Sequence, residues 1–141
     1  MPQLRTGVPV RNFHFLSTGT NGDYTVVSSL PTVAYGIQAF NISTGAIAYL
    51  KIYDQSTISS VTSTATGGTA PYGAWAIPFS VGPTTQAQAG GFAVAWPQGL
   101  NFNNGISFAL VAGIAVNSTS SVTANGVIVN IQHEASSESR V

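Results

Sequence analysis

Histidines and carboxylates are the residues of this sequence best suited to metal binding or acid–base catalysis. The candidates are His14, His133, Asp23, Asp54, Glu134 and Glu138. His133 and Glu134 are adjacent, so on a strand they point to opposite faces and cannot hold one metal ion. A zinc site needs three or four converging ligands, and no spacing here offers them. We therefore expect surface or structural roles for both histidines and no bound metal or other cofactor.

Catalysis has little support in the remaining motifs. Asp23, in the turn Asn21-Gly22-Asp23, could bind Ca²⁺, but a single carboxylate in a glycine turn more often stabilises the turn itself. The Gly67-Gly68 and Gly90-Gly91 pairs lack the lysine and the following helix of a phosphate loop, and no G-x-S-x-G nucleophile motif is present. We expect a protein without enzymatic activity. A hydrolase that brings Asp23, Asp54 and Glu134 together on a jelly-roll scaffold is the least favoured hypothesis.

Aromatic residues suggest a second kind of chemistry, the stacking of sugar rings. Tyr72, Trp75 and Trp96 are the candidates. Trp75 is in phase with Ile77, and Trp96 is in phase with Val94, which is the pattern of a core, so the interpretation of Tyr72 alone stays open. The sequons that begin at Asn41 and Asn117 are expected to be unused, since such matches arise by chance in a chain rich in Ser and Thr.

Charge is scarce in this sequence. Charged residues make up 6 % of the chain and the formal net charge is zero, whereas an average soluble protein has about 25 %. Four scattered bases cannot form the patches that bind nucleic acid or a membrane surface. The content of hydrophobic residues, 44 %, indicates a folded chain. Its surface must then consist of uncharged polar residues, and a net charge near zero favours self-association.

Alternation with period two dominates the chain, and strong helix formers at helical spacing are lacking. Ala46 to Asp54 predicts a strand with Ala48, Leu50 and Ile52 on one face and Lys51 among the residues of the other. Further alternating runs begin at Phe13, Val33, Trp75, Phe92, Ile106 and Val127; the second changes phase near Ala39, where we predict a β-bulge. Pro78 places its run at a sheet edge, and Pro97 is expected to end another. With 141 residues, the sequence predicts a single antiparallel β-sandwich of jelly-roll type.

The ends of the chain differ from the middle. We expect an extended N-terminal arm over residues 1–20 without a hairpin partner, a sandwich over 21–134 and a polar tail over 135–141. Met1 to Gly7 lacks the apolar core of a signal peptide, which favours synthesis in the cytoplasm. The apolar residues of the arm are the predicted assembly interface: Leu4, Val8, Val10, Phe13 and Phe15.

Edge strands also favour assembly. Proteins usually protect such edges with Lys, Pro or inward charges, and this chain has a single lysine. Pairing of the unprotected edge with another copy, in a closed ring such as a homotrimer, would account for it. A monomer with bulged edges is the alternative.

Several runs resemble small structural proteins of tailed bacteriophages. The resemblance begins with Ala48-Tyr49-Leu50-Lys51-Ile52-Tyr53-Asp54 and Ala76-Ile77-Pro78-Phe79. It continues through Trp96-Pro97-Gln98-Gly99-Leu100-Asn101-Phe102 to Ile106-Ser107-Phe108, and ends in Asn125-Gly126-Val127-Ile128-Val129-Asn130-Ile131, so that it covers about residues 46–132. Members often have an acidic residue in the loop that here corresponds to residues 117–122, which contains only Ser and Thr besides Asn117 and Val122.

This resemblance implies a β-sandwich protein of the virion. The favoured role is a capsid decoration (cement) protein on the capsid surface, with the major capsid protein as its partner. The alternative that we retain is a tail or spike adhesion module that binds glycans of the host surface.

Overall fold

Two four-stranded antiparallel sheets, packed face to face, make up the described part of this all-β chain. The structure is a computed structural model and describes residues 9–43, 46–58, 71–79, 90–115, 118 and 120–134. The strands are β1 (Val10–Leu16), β2 (Thr25–Ser28), β3 (Thr32–Asn41), β4 (Ala48–Asp54), β5 (Gly73–Ile77), β6 (Gly90–Phe102), β7 (Ile106–Val111) and β8 (Val127–Glu134). A short 3-10 turn covers Asn21–Asp23. No helix among these residues is long and apolar enough to cross a membrane.

The order of the strands is that of a jelly roll. The first sheet has the order β1-β8-β3-β6 and the second has the order β2-β7-β4-β5. Strand β1 pairs with β8, β2 with β7, β3 with β6, and β4 with β5. The chain therefore behaves as one long hairpin that is rolled up, with successive pairs assigned to alternate sheets, which is the double-sheet form of the jelly roll. The predicted fold class is confirmed.

The core lies between the two sheets and follows the predicted alternation. In β4, Ala48, Leu50 and Ile52 are buried in it, and Val129 and Ile131 meet them from β8. Each of these side chains stabilises the fold by about 1.5–3 kcal/mol relative to an exposed position, apart from the smaller alanine. A smaller cluster of Tyr53, Ala109 and Val111 lies apart from this core.

The N-terminal segment differs from our expectation. Residues 10–16 of the predicted arm form strand β1, which pairs with β8 from Val10↔Glu134 to Leu16↔Ile128. We expected no hairpin partner for this segment, and its strand partner β8 lies more than a hundred residues away in the sequence. The remaining apolar residues of the arm, Leu4 and Val8, and the tail over 135–141 lie outside the described residues.

Other boundaries also shift. The bulge of β3 lies between Ala34 and Gly36, not near Ala39. Strand β6 continues through Pro97 to Phe102, because it is an edge strand and Pro97 lies where the β3–β6 register shifts, so that its missing N–H group interrupts no residue pair. Strand β7 ends at Val111 although the alternation runs on, and strand β2, only four residues long, was not predicted.

Candidate assembly surface

The first sheet exposes an outer face whose side chains form rows across its four strands. The cross-strand register defines these rows, from β1 through β8 and β3 to β6. They are Asn12, Gln132, Gly36 and Ala95; His14, Asn130, Gln38 and Ala93; and Leu16, Ile128, Phe40 and Gly91. We call this set of residues the neutral face, because none of them is an acid, a lysine or an arginine.

Hydrogen bonds join the amide side chains on the β1–β8 half of the neutral face. Gln132 Nε2 donates to Asn12 Oδ1 over 2.7 Å, and Asn12 Nδ2 donates to Asn130 Oδ1 over 3.3 Å. The ring nitrogen Nδ1 of His14 lies 2.8 Å from the same Asn130 oxygen. These contacts hold the amides in fixed positions, so this half presents an ordered array of donors and acceptors.

The β3–β6 half of the face has smaller side chains than the β1–β8 half, apart from Gln38 and Phe40. A depression of about 370 Å³ is lined by Gly36, Ala93 and Ala95 on this half, and also by Val10 and Gln132. A Cβ atom at Gly36 would lie 2.9 Å from Gln132 Oε1. The absence of a side chain there therefore makes room for the amide network.

Apolar side chains occupy one end of the same face. Leu16 is 41 % exposed and Phe40 is 40 % exposed, and both belong to the row that contains Ile128. Because large apolar side chains that share an exposed row lose contact with water when they are covered, this end of the face favours association.

Charged groups near the neutral face are withdrawn from it. Glu134, at the end of β8, is 1 % exposed, and its Oε1 accepts a hydrogen bond from the hydroxyl group of Tyr35 over 2.8 Å. Arg11 alternates with Val10 and Asn12 and is paired in register with His133. Burial lowers the pKa of His133, and the positive charge of Arg11 lowers it further, while a hydrogen bond with the Glu134 backbone opposes both effects.

The described residues of the predicted assembly interface, Val10, Phe13 and Phe15, differ in exposure. Phe13 and Phe15 pack against the core, with ring centroids 6.3 Å and 5.2 Å from that of Phe108. Val10 is 57 % exposed at the end of β1. Of the members that the structure describes, Val10 is therefore the one whose side chain is available to a partner.

The outer side of the second sheet is covered along its central strands β4 and β7. Lys51 and Tyr53, which alternate with the core residues of β4, are each 1 % exposed. Lys51 Nζ donates a hydrogen bond to the carbonyl oxygen of Ala115, in the segment after β7, and burial lowers the pKa of its ammonium group. The hydroxyl group of Tyr53 is buried and has no hydrogen-bond partner among the described residues, and burial raises its pKa, with a smaller contribution from Tyr24.

The candidate catalytic carboxylates have separate partners. Asp23 accepts hydrogen bonds from the amide and hydroxyl groups of Thr18, as expected for a turn-stabilising residue. Asp54 Oδ1 accepts the backbone N–H of Asn104 over 2.8 Å, and Glu134 accepts the hydroxyl group of Tyr35. Within the part of the chain that the structure describes, no three His, Asp or Glu side chains form a metal-binding group.

The aromatic candidates lie along the side of the sandwich formed by β5 and β6. Trp75 and Trp96 are half-buried against the core, with ring centroids 6.2 Å apart, as their phase predicted. Tyr72 is 49 % exposed and its ring centroid lies 5.0 Å from that of the buried Phe102. Tyr72 is thus the member of the three whose ring remains accessible.

Sequence reasoning did not identify the neutral face, although a signal was present. Along β1 and β8, the positions out of phase with the core hold Asn12, His14, Asn130 and Gln132, where an exposed strand face would usually carry Lys or Glu. The cross-strand register that brings these positions together depends on pairing between β1 and β8, which the sequence alone did not indicate.

Comparison with known proteins gives a distant structural likeness and no sequence match. No protein-family model matches the chain, and no curated protein sequence does. Among solved structures, a chain from the X-ray crystal structure of Tomato aspermy virus is similar over 96 % of this chain and 81 % of that chain, with 12 % sequence identity and a TM-score of 0.42.

Proposed function

We propose that this chain is a structural protein of a virus particle, and specifically a capsid decoration (cement) protein of a bacteriophage. The observation that carries the proposal is the exposed neutral face on a jelly-roll sandwich, an architecture that viral capsid proteins use, as do lectins and cupins. Removal of an unpaired ion from water costs several kcal/mol. The neutral face can be buried without this cost, because it contains no lysine, arginine or acid. The scarcity of charge in the whole sequence supports the same role.

The proposed mechanism is mechanical. Copies of the chain bind at the joints between subunits of the major capsid protein and connect neighbouring subunits across those joints. They also associate with one another, with a homotrimer as the expected ring. Outward pressure from the packaged genome then has to break these additional contacts before the shell can open. No catalytic step and no cofactor takes part.

The copy number of the chain in purified particles tests this function. Quantitative mass spectrometry would measure its molar ratio to the major shell protein. A ratio on the order of one to one supports a decoration protein that covers the shell, because each joint repeats with the capsid lattice. A handful of copies per particle contradicts the decoration role and points to a tail or spike, while absence from particles contradicts the virion function as a whole.

A second candidate function is a tail or spike module that adheres to host glycans. It is favoured by Tyr72, whose accessible ring lies over Phe102, since exposed aromatic rings stack on the apolar faces of sugars. A glycan array probed with the intact chain and with the Tyr72→Ala variant tests it. Binding that depends on Tyr72 supports adhesion, and an array without signal contradicts it.

A further inference from the structure

We propose that the neutral face is the surface on which a second copy of this chain packs, sheet against sheet, about a two-fold axis. The inference rests on the proposed function, which requires self-association, and adds a two-fold contact that is separate from the ring expected at the unprotected sheet edge, such as a homotrimer. Three properties of the face support it: its composition, the distribution of long and short side chains over it, and its area.

Composition favours a second copy over an unrelated protein. A face without ions is best matched by another face without ions, because an ionised group buried against it would lose its water without gaining a partner. About a quarter of the residues of an average protein are charged, whereas this chain has 6 %. In addition, each Asn and Gln side chain both donates and accepts hydrogen bonds, so an array of amides can satisfy a copy of itself.

Long and short side chains are distributed so that the face fits a second copy of itself. Its β1–β8 half carries the long amides Asn12 and Gln132, whereas its β3–β6 half carries Gly36 and Ala95 in the same row. A two-fold axis parallel to the strands, between β8 and β3, places Asn12 and Gln132 of each copy over Ala95 and Gly36 of the other. The same axis places the row of Leu16 and Phe40 on the identical row of the second copy, so that apolar side chains meet apolar side chains.

The size of the face suits a reversible interface. The three rows occupy about 20 Å along the strands, and four strands with ordinary spacings are about 19 Å wide, so the face measures on the order of 400 Å² per copy. The two copies together then bury about 800 Å² before the height of the side chains is counted, which is the size of a weak and transient interface. We therefore expect dissociation in the micromolar range for isolated chains, and tighter association where a shell holds copies side by side.

Charge substitutions at Gln38 provide the test. Gln38 is exposed, lies in the middle row on β3, and takes part in none of the hydrogen bonds that hold the amides. Sedimentation of the intact chain would be measured for the wild type, for Gln38→Lys, for Gln38→Glu, and for an equimolar mixture of the two variants. The matched controls are Asn103→Lys and Asn103→Glu, at an exposed position in the turn between β6 and β7.

The proposal predicts that each Gln38 variant removes a doubling of mass and weakens association by about tenfold or more, because two like charges are placed near the axis. The mixture recovers association, since Lys then meets Glu across the interface, and the Asn103 variants behave as the wild type. Thermal unfolding establishes that each variant is folded.

Three results would overturn the proposal: a wild type that never doubles in mass up to several hundred micromolar, doubling that persists in both Gln38 variants, or a mixture that fails to recover. If the wild type sediments without doubling in mass while Gln38→Lys abolishes binding to particles, the face binds the shell protein and not a second copy, and the proposal is contradicted. The copy number in particles remains an independent measurement. If the chain is abundant in particles but does not form the two-fold pair, the proposed function is supported and the interface is contradicted. If the chain forms the pair but is absent from particles, the interface is supported and the virion function is contradicted.

Discussion

At the scale of single residues, buried polar side chains join segments that are far apart in the sequence. Ser17 is 1 % exposed; its hydroxyl group donates to the carbonyl oxygen of Thr123 over 2.6 Å and accepts the N–H groups of Gly126 and Val127. This single side chain therefore attaches the end of β1 to the start of β8. Asn41 has an equivalent role at the end of β3.

Asn41 gives the first prediction. It is fully buried, its Nδ2 donates to the carbonyl oxygens of Ala46 and Ile77 over 2.8 Å and 3.2 Å, and its Oδ1 accepts the N–H of Ser43. Asn41→Asp replaces the donor by a second carboxylate oxygen that faces two carbonyl oxygens. We expect the free energy of unfolding, measured by urea denaturation, to fall by about 2–4 kcal/mol.

The control for this change is Asn103→Asp, at an exposed position, which should alter the free energy of unfolding by no more than about 0.5 kcal/mol. If Asn41→Asp were as stable as this control, the two carbonyl contacts would not contribute to the fold.

Lys51 gives a prediction of the opposite sign. Its ammonium group is buried beside the carbonyl oxygen of Ala115, which also accepts the N–H of Ser118 over 2.9 Å and so keeps a partner without the lysine. Lys51→Met retains the length of the side chain and removes the buried charge. We expect the free energy of unfolding at pH 7 to rise by about 1 kcal/mol.

The pH dependence follows from the lowered pKa of Lys51. The folded chain releases this proton at a lower pH than the unfolded chain, whose lysine has a pKa of about 10.4, so the wild type gains stability as the pH rises through that window. The advantage of Lys51→Met should therefore shrink toward pH 10. Because the sequence has one lysine, selective ¹³C labelling of lysine would follow its titration directly. A variant less stable than the wild type at pH 7 would show that the hydrogen bond to Ala115 outweighs the cost of burial.

At the scale of elements, the sequence predicted strand type well and pairing poorly. The alternation in β4 and β8 identified core residues such as Leu50 and Ile131 because burial on one face of a strand imposes a period of two. The same reasoning treated Phe13 and Phe15 as an interface, since their strand partner in β8 is remote in the sequence. It also missed β2, which has four residues, too short for a recognisable period.

Strand β1 therefore divides the N-terminal segment into two parts with different expected effects of deletion. Deletion of residues 1–9 leaves β1 intact, so cooperative unfolding should be retained. Deletion of residues 1–16 removes β1, and with it the contacts of Phe13 and Phe15 with Phe108. Phe13 and Phe15 are half-buried, so each contributes less than the roughly 3–5 kcal/mol of a core Phe, but their loss adds to that of the whole β1–β8 pairing. We therefore expect a chain that aggregates or unfolds without a cooperative transition.

Binding of these two deletions to particles is then informative only for the shorter one. If the segment before β1 anchors the chain, deletion of residues 1–9 abolishes particle binding while circular dichroism still shows a folded sandwich. Retained binding would contradict an anchoring role for Leu4 and Val8. A cooperative transition in the chain that lacks residues 1–16 would contradict the structural role of β1.

At the scale of the whole molecule, the two sheets have different outer sides. The side that carries Lys51 and Tyr53 is buried along its central strands β4 and β7, whereas the neutral face of the other sheet is open. Neither side exposes a lysine. On the second sheet, Lys51 is buried beside Ala115 in the segment after β7. On the first sheet, the neutral face consists mainly of amide side chains, Gly and Ala. The two sheets therefore differ in how their outer sides are built, and under the proposed function the neutral face is the side that makes contact.

The last prediction concerns ionic strength. Attraction between exposed ions weakens as salt shortens the Debye length from about 14 Å at 50 mM to about 4 Å at 500 mM, whereas apolar contacts and hydrogen bonds between neutral amides respond weakly. Because the neutral face has no ion among its residues, the dissociation constant of the wild type, measured by sedimentation at these two salt concentrations, should change by less than about threefold. The mixture of Gln38→Lys and Gln38→Glu is the matched control, since its interface contains introduced ion pairs, and its dissociation constant should rise by about tenfold over the same range. If the wild type weakened as steeply as that mixture, its association would depend on the few arginines and acids elsewhere on the chain, and the neutral face would not be the surface that joins the copies.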